Sequence, residues 1–263
     1  MNNKMTHSLL ATCICASILM ADDIKVADVE AQYTTRTDIK ASDKLQQTIN
    51  FGFANTTGNT ETLNLNGKYT LAFSTVGYDS EKLSIAFDTS AFVTKNSDMT
   101  DNEEYTVNLG LEQNIAGDWL GYASAHWLRN TFRNFDNKIM FGAGVGKELY
   151  NDGQHSFKMK VGIAYNIEQY SNNQPEHKYT SLTEYLEYNN QMNKTSLLFV
   201  KIGASENFDD FGDYEVLAVA GFSFAVAESL SVNIEEEVRY DKIAPIGFKS
   251  TDTKSIVRVG YNF

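Results

Sequence analysis

The sequence predicts an all-β protein, a transmembrane antiparallel up-and-down β-barrel of about twelve strands in an outer membrane. Three observations carry this reading. The first is the final stretch KSIVRVGYNF, in which Val257, Val259, Tyr261 and Phe263 fall on one side of a strand. A barrel's last strand closes against its first and turns its outer side to lipid, so it needs an apolar period of two. With its terminal aromatic, the stretch has the form of the C-terminal assembly signal of bacterial outer-membrane barrels. The second observation is that nearly every segment alternates polar and apolar residues. The third is that the connections sort by length according to the parity of the strand they follow.

Residues 1–21 read as a cleaved secretory signal. Lys4 is its positive charge, Leu9 to Met20 is its apolar stretch, and Ala21 precedes the acidic pair Asp22 and Asp23. The stretch is too short to cross a bilayer. Cleavage is expected after Ala21, within a few residues, because Leu19 is bulky for the position three before the cut. A lipoprotein box, Leu10-Ala11-Thr12-Cys13, is disfavoured by Thr12 and by the short apolar run before it. Both cysteines, Cys13 and Cys15, fall in the signal, so the mature chain has no disulfide framework and needs a core or a closed hydrogen-bonded wall. Losing Lys4 takes the net charge from −12 to −13. With a pI of about 4.8, this argues against a nucleic-acid partner, which calls for basic patches. No apolar run of helix-spanning length follows residue 21, so a membrane form must be a barrel.

Residues 22–43 are polar and lack alternation, which suits a periplasmic segment or a short plug; residues 44–263 form the barrel. Its strands are expected at 44–54, 60–73, 82–94, 104–115, 119–133, 138–149, 156–170, 178–191, 194–207, 214–227, 230–241 and 251–263. Connections after even strands are compact: VGYDSE, AGD, YNDGQH, MN and ES. Those after odd strands are mostly long and polar: TKNSDMTDNEE, NFDN, SNNQPEHKY, FDDFGD and KIAPIGFKSTD. Barrels with both termini in the periplasm have short turns there and longer loops outside. A soluble sandwich has no reason to alternate its loops in this way.

Facing follows from parity. In the third strand Leu83, Ile85, Phe87, Ala91 and Val93 alternate with Ser84, Asp88, Ser90 and Thr94. In the seventh, Phe157, Met159, Val161, Ile163, Tyr165 and Ile167 alternate with Lys158, Lys160, Asn166 and Glu168. The first set in each suits lipid and the second a polar interior. Aromatic residues near strand ends, Phe51, Phe53, Tyr69, Phe73, Trp119, Tyr122, Tyr150, Tyr170, Tyr214 and Tyr240, suit interfacial girdles.

The runs FANTTGNTETLNLNGKYTLAF, WLRNTF, FGAGVGKELY and KYTSLTEYLEY, with the final TDTKSIVRVGYNF, resemble the outer-membrane family of YdiY-like salt-induced proteins over residues 44–263. The resemblance implies a barrel in the outer membrane and a setting of osmotic or salt stress. It implies no activity, because its shared positions are glycines, turns and aromatics.

Several chemistries find no support, and no catalytic, cofactor-binding or metal-binding residue is expected. A lipid-acting outer-membrane enzyme needs a serine and a histidine together on the outer wall. The mature chain offers only His126, His155 and His177. His126 has no serine following it on its face and reads as a packed or interfacial residue, while His155 and His177 fall in a turn and a loop. Asp209, Asp210 and Asp213 could form a protease-like acidic dyad or hold a divalent cation, but a solvated acidic loop is the simpler reading. Gly142-Ala143-Gly144-Val145-Gly146-Lys147 lacks the strand-to-helix setting of a phosphate loop, and its alternate glycines suit a narrow lumen with bulky neighbours.

Interior charges are the remaining clue. Ser231, Asn233, Glu235, Glu237, Arg239 and Asp241 share a face of the eleventh strand; Asp252, Lys254 and Arg258 share one of the twelfth. Arg129, Arg133, Lys158 and Lys160 are expected to face inward elsewhere. Such charges either line a water path for small ions or solutes, or pair and close it. The expected function is a narrow, porin-like channel or an envelope-integrity protein; a lipid-acting enzyme or a binding module built from the surface loops are the alternatives. Expected partners are outer-membrane lipids, lipopolysaccharide and the barrel assembly machinery. Deleting Phe263 should lower the amount of heat-modifiable protein in the membrane fraction; an unchanged amount would remove the assembly role from the final strand.

Overall fold

The computed structural model describes residues 45–57, 62–94, 102–171, 174–227, 229–244 and 247–262. The signal and its cut, both cysteines, segment 22–43 and Phe263 lie outside the described residues. The chain forms β1 (Gln46–Thr57), β2 (Thr62–Val76), β3 (Lys82–Thr94), β4 (Asn102–Ala116), β5 (Trp119–Asn130) and β6 (Phe135–Asn151). It continues with β7 (His155–Tyr170), β8 (His177–Asn193), β9 (Ser196–Asn207), β10 (Tyr214–Ala225), β11 (Leu230–Asp241) and β12 (Thr251–Asn262). Every strand pairs antiparallel with its sequence neighbours, and β1 pairs with β12, so the sheet is a closed barrel of twelve strands. Closure leaves no strand edge unpaired, which is what allows strands to lie in lipid.

Alternation is retained through the described wall. On β1, Phe51 is 64% exposed and its neighbour Asn50 8%; the register sets Phe51 beside Val259 and Phe53 beside Val257 on the outside of the closing seam. Val257, Val259 and Tyr261 are all exposed on that face. The compact connection after β4 turns on Gly117, whose φ of 58° is the left-handed conformation that glycine adopts without cost.

Bounds of β3 and β11 agree with the sequence reading, and β5 and β6 correct it. β5 ends at Asn130, whose side chain accepts a hydrogen bond from the Arg133 amide at 3.1 Å. A 3-10 turn then runs over Thr131–Arg133, and Asn134 takes a φ of 65°. β6 begins at Phe135, three residues earlier than expected, because Phe135 is buried with its ring 5.3 Å from that of Tyr170. Two girdle assignments also change. Tyr122 and Tyr170 lie on the inward rows of β5 and β7, with Ser124 and His126 and with Glu168. Trp119 and Tyr150 stay outside at the compact-turn end; Tyr214 and Tyr240 stay outside at the loop end, their rings 5.9 Å apart.

The alternate glycines of β6 face inward. A Cβ on Gly144 would stand 2.2 Å from the Val161 carbonyl oxygen and 2.8 Å from Cε1 of Tyr122. Glycine is therefore what lets the Tyr122 ring lie against this wall. Gly144→Ala should destabilise the folded barrel by about 1–3 kcal/mol, as overpacking does. A urea titration of the heat-modifiable gel shift measures it, and an unchanged midpoint would show that the wall relaxes freely.

Candidate functional site

The lumen is the candidate site, and its side chains form three tiers along the axis. Twelve strands enclose more room than packed eight-stranded barrels and less than open channels of sixteen. Here the room is crossed by side chains that meet from strands not adjacent in the wall.

At the compact-turn end, Glu112 of β4 accepts from Lys158 at 2.9 Å and from Lys160, both on β7. Glu187 of β8 pairs with Lys201 of β9 at 3.3 Å and accepts from the Tyr185 hydroxyl at 2.8 Å. The Lys160 ammonium stands 5.5 Å from the ring centre of Tyr122 and 5.1 Å from that of Tyr185. Rings thus supplement the carboxylate for a cation that is only 2% exposed.

In the middle, Arg258 of β12 donates to Glu235 at 2.5 Å and to Asn66 of β2 at 2.7 Å. Next to Asn66 in the same lumen, along β2 to β5, Lys68 pairs with Asp88 at 3.1 Å, Asn108 donates to Asp88, and Nδ1 of His126 meets Oδ1 of Asn108. Nδ2 of Asn66 and Oγ of Ser124 are buried without a hydrogen-bond partner in the protein. They mark this tier as able to bond water or a polar solute.

At the loop end, Arg133 donates to Glu215 of β10 at 2.9 Å and to Asp241 of β11 at 2.7 Å. Lys138 of β6 bridges Glu215 at 2.7 Å and Glu168 at 3.1 Å. The hydroxyls of Tyr170 and Tyr179 both donate to Glu168, at 2.5 and 3.0 Å. Lys254 of β12 joins Glu104 of β4 at 2.5 Å and Glu237 at 3.2 Å, and Arg239 stands 3.6 Å from Glu215 and 3.7 Å from Glu237. Below the loops this tier encloses a cavity of about 90 Å³ lined by Phe135, Tyr170, His177, Tyr179 and Asp213 among others. Burial pushes the Asp213 carboxyl above its ordinary range, against the opposing hydrogen bond from Asn207.

Of the charges expected in the lumen, Arg133, Lys158, Lys160, Glu235, Glu237, Arg239, Lys254 and Arg258 are all there and buried. Arg129 is not. It lies on the outward row of β5 and pairs outside the wall with Glu103 at 2.9 Å and Asp136 at 3.1 Å. One continuous strand would have put Arg129 and Arg133 on the same face; the 3-10 turn after Asn130 swings Arg133 inward alone. Of the acidic hubs, the sequence reading names Glu168 only as an inward residue of the seventh strand and does not name Glu112 or Glu215. Parity places them inside, but no spacing in the chain says that they meet lysines and arginines across the lumen.

The other candidates resolve into local structure. Gly142 to Gly146 is part of β6. In the acidic loop, Asp210 accepts from the Gly212 amide and Asn207 from the Asp209 amide, so the group caps its own turn. His155 meets the Tyr188 hydroxyl at 2.8 Å.

The barrel resembles several outer-membrane structures in fold. The NanC porin superposes with a TM-score of 0.52 at 8% identity, covering 81% of this chain and 98% of that one. The translocator domain of autotransporter NalP from Neisseria meningitidis gives 0.52 at 11% identity, covering 95% and 96%. The COG4313 outer membrane channel from Pseudomonas putida F1 gives 0.52 at 9%, covering 85% and 97%. No curated protein sequence matches the chain. The model of the protein family of unknown function DUF481 matches residues 49–263, and the chain belongs to that family.

Proposed function

We propose that the protein resides in the bacterial outer membrane as a narrow, side-chain-filled channel for small ions or solutes, and that it serves envelope integrity under osmotic or salt stress without enzymatic activity. The observation that carries this reading is the set of buried ion pairs between non-adjacent strands, such as Glu112 with Lys158, Lys254 with Glu104 and Lys138 with Glu215. Paired charges across a lumen narrow it to what can pass between them and decide which sign passes. The outward rows suit lipid and lipopolysaccharide, and the assembly machinery is the partner at insertion. The acidic balance of the chain speaks against nucleic acid.

A second reading, a ligand site formed with the loops, is favoured by the cavity at the loop end, whose tyrosines and carboxylates are suited to a hydrogen-bonding solute. A lipid-acting enzyme has less support, because His126 is turned into the lumen and away from lipid.

Conductance across a planar bilayer tests the first reading. Wild-type protein should give small steps, and Arg258→Ser should shift the reversal potential under a salt gradient toward cations, because Glu235 loses its counter-charge. The shift should be larger at about 0.1 M salt than at 1 M, where the screening length falls from about 10 to 3 Å. Identical reversal potentials would place Arg258 off the conduction path. Silence of both proteins, with binding of a solute at the loop end, would favour the second reading.

Removing a hub tests the bracing. Glu112→Ala leaves Lys158 and Lys160 without their shared carboxylate and should destabilise the barrel by about 3–5 kcal/mol. Urea unfolding reads this directly, and a loss below about 1 kcal/mol, the scale of an exposed pair, would show the tier to be hydrated.

A further inference from the structure

Most of the polar lining of the loop-end cavity is spent within the protein. Glu215 holds Arg133 and Lys138, and Asp241 holds Arg133 and accepts from the Ile243 amide. Glu168 takes Lys138 and the hydroxyls of Tyr170 and Tyr179. Lys138 is the only lysine or arginine that lines the cavity, and both of its ion-pair partners are carboxylates. The wall therefore offers an anion no uncommitted cation. Two lining groups are left over. Half-buried Asp213 accepts from Asn207 through one carboxylate oxygen at 3.0 Å, and among the described residues it has no ion pair. Lys138 and His177 attract it only from longer range, against the repulsion of Glu168. Ser205 is 7% exposed, and its hydroxyl has no hydrogen-bond partner among the described residues. A carboxylate drawn out of bulk water without a counter-charge is a cost that an arriving cation removes.

The wall already shows how it receives an ammonium group. Lys138 Nζ lies between Glu215 and Glu168 and 5.4 Å from the ring centre of Phe135. The uncommitted part of the cavity offers the same elements, a carboxylate in Asp213 and an aromatic face in Tyr179. The Tyr179 hydroxyl is turned to Glu168, and the ring stacks on that of His177 with centres 4.8 Å apart, so the ring is what remains for a ligand. We propose that this cavity binds a small primary ammonium compound, whose charged head donates to Asp213 and Ser205 and whose carbon chain lies against the tyrosine rings. Its volume of about 90 Å³ holds about six water-sized groups, which limits the ligand to a short chain. His177 and Ile243 are exposed lining residues, so entry is from the loop side. This inference rests on the reading of the loop end as a ligand site and is independent of whether the lumen conducts.

Saturation-transfer magnetic resonance on refolded protein in an uncharged detergent tests it, with n-butylammonium, n-butyrate and n-butanol as probes of one chain length. Heat modifiability checks that each sample is folded. Butylammonium should bind about tenfold or more tighter than the other two, and Asp213→Asn should remove about a tenfold share of that affinity, the scale of one charge-assisted hydrogen bond. Ser205→Ala should weaken it a few-fold. Asp209→Asn takes the same charge from the same loop outside the cavity lining and should leave binding unchanged. Equal losses in Asp209→Asn and Asp213→Asn would trace the binding to the general acidity of the chain and overturn the site. Butyrate or butanol bound as well as butylammonium, and weakened by Ser205→Ala, refutes the cation and leaves the ligand site standing; folded protein that holds none of the three refutes both. If Asp213→Asn fails the folding check, the charge preference of the wild type together with Ser205→Ala decides, and an absent preference or an unchanged affinity in Ser205→Ala counts against the proposal.

Discussion

The pairing of β1 with β12 is the constraint on which the rest depends. Once the sheet closes, every strand has two neighbours, and each side chain must point either to the outside or to the axis. Alternation then acquires two different meanings on its two faces. Outside, it selects groups that tolerate hydrocarbon, which is why Phe51, Val257 and Val259 can be exposed without forming a core. Inside, it gathers every second residue of twelve strands into a space too wide for aliphatic packing across the whole section and too narrow to leave long charged side chains in bulk water.

The interior answers this with cross-bracing. Its carboxylates act as hubs: Glu215 serves Arg133, Lys138 and Arg239, Glu112 serves two lysines, and Glu168 collects Lys138 and two tyrosine hydroxyls. Aromatic rings fill what the charges leave, with Lys254 and Arg258 both lying over Phe92 at 4.9 and 5.7 Å. Among the described residues, apolar packing is confined to patches of the wall, the largest being Tyr185, Leu197, Phe199, Leu217 and Val219. Buried pairs are a weak source of net stability, since desolvation offsets much of the attraction, but they strongly penalise any arrangement that separates them. The network therefore specifies lumen geometry more than it adds to the free energy of folding.

This division also explains what could be read from the chain. Strand number, the bounds of β3 and β11, and the face of Lys158, Glu235 and Arg258 follow from local alternation, which the barrel preserves. Alternation places Arg129 with Arg133 only if the strand is continuous; the hydrogen bond from the Arg133 amide to Asn130 ends it, and nothing in the alternation before it announces the break. Nearness to a strand end suggests girdle positions for Tyr122 and Tyr170, but parity is the stronger physical signal and sets both on inward rows. The hubs were illegible for a different reason. Meeting across a lumen depends on stagger and diameter, and Arg133 and Asp241 are neighbours only because their strands lie on opposite walls of a ring of this size.

Charge is not spread evenly along the axis, and this bears on where selectivity can arise. At the loop end Glu104, Glu168, Glu215, Glu237, Asp241 and Asp252 face Arg133, Lys138, Arg239 and Lys254, so acid is in excess. At the compact-turn end Lys158, Lys160 and Lys201 share Glu112 and Glu187, so base is in excess. A solute of either sign crossing such a lumen meets attraction at one end and repulsion at the other, and these opposing contributions partly cancel over the full length. The end tiers then fix the direction of the field more than the choice of ion. In the channel proposed above, discrimination would fall to the balanced middle, where Arg258 and Glu235 share a tier with Lys68 and Asp88 and where Nδ2 of Asn66 and Oγ of Ser124 are buried without a hydrogen-bond partner in the protein.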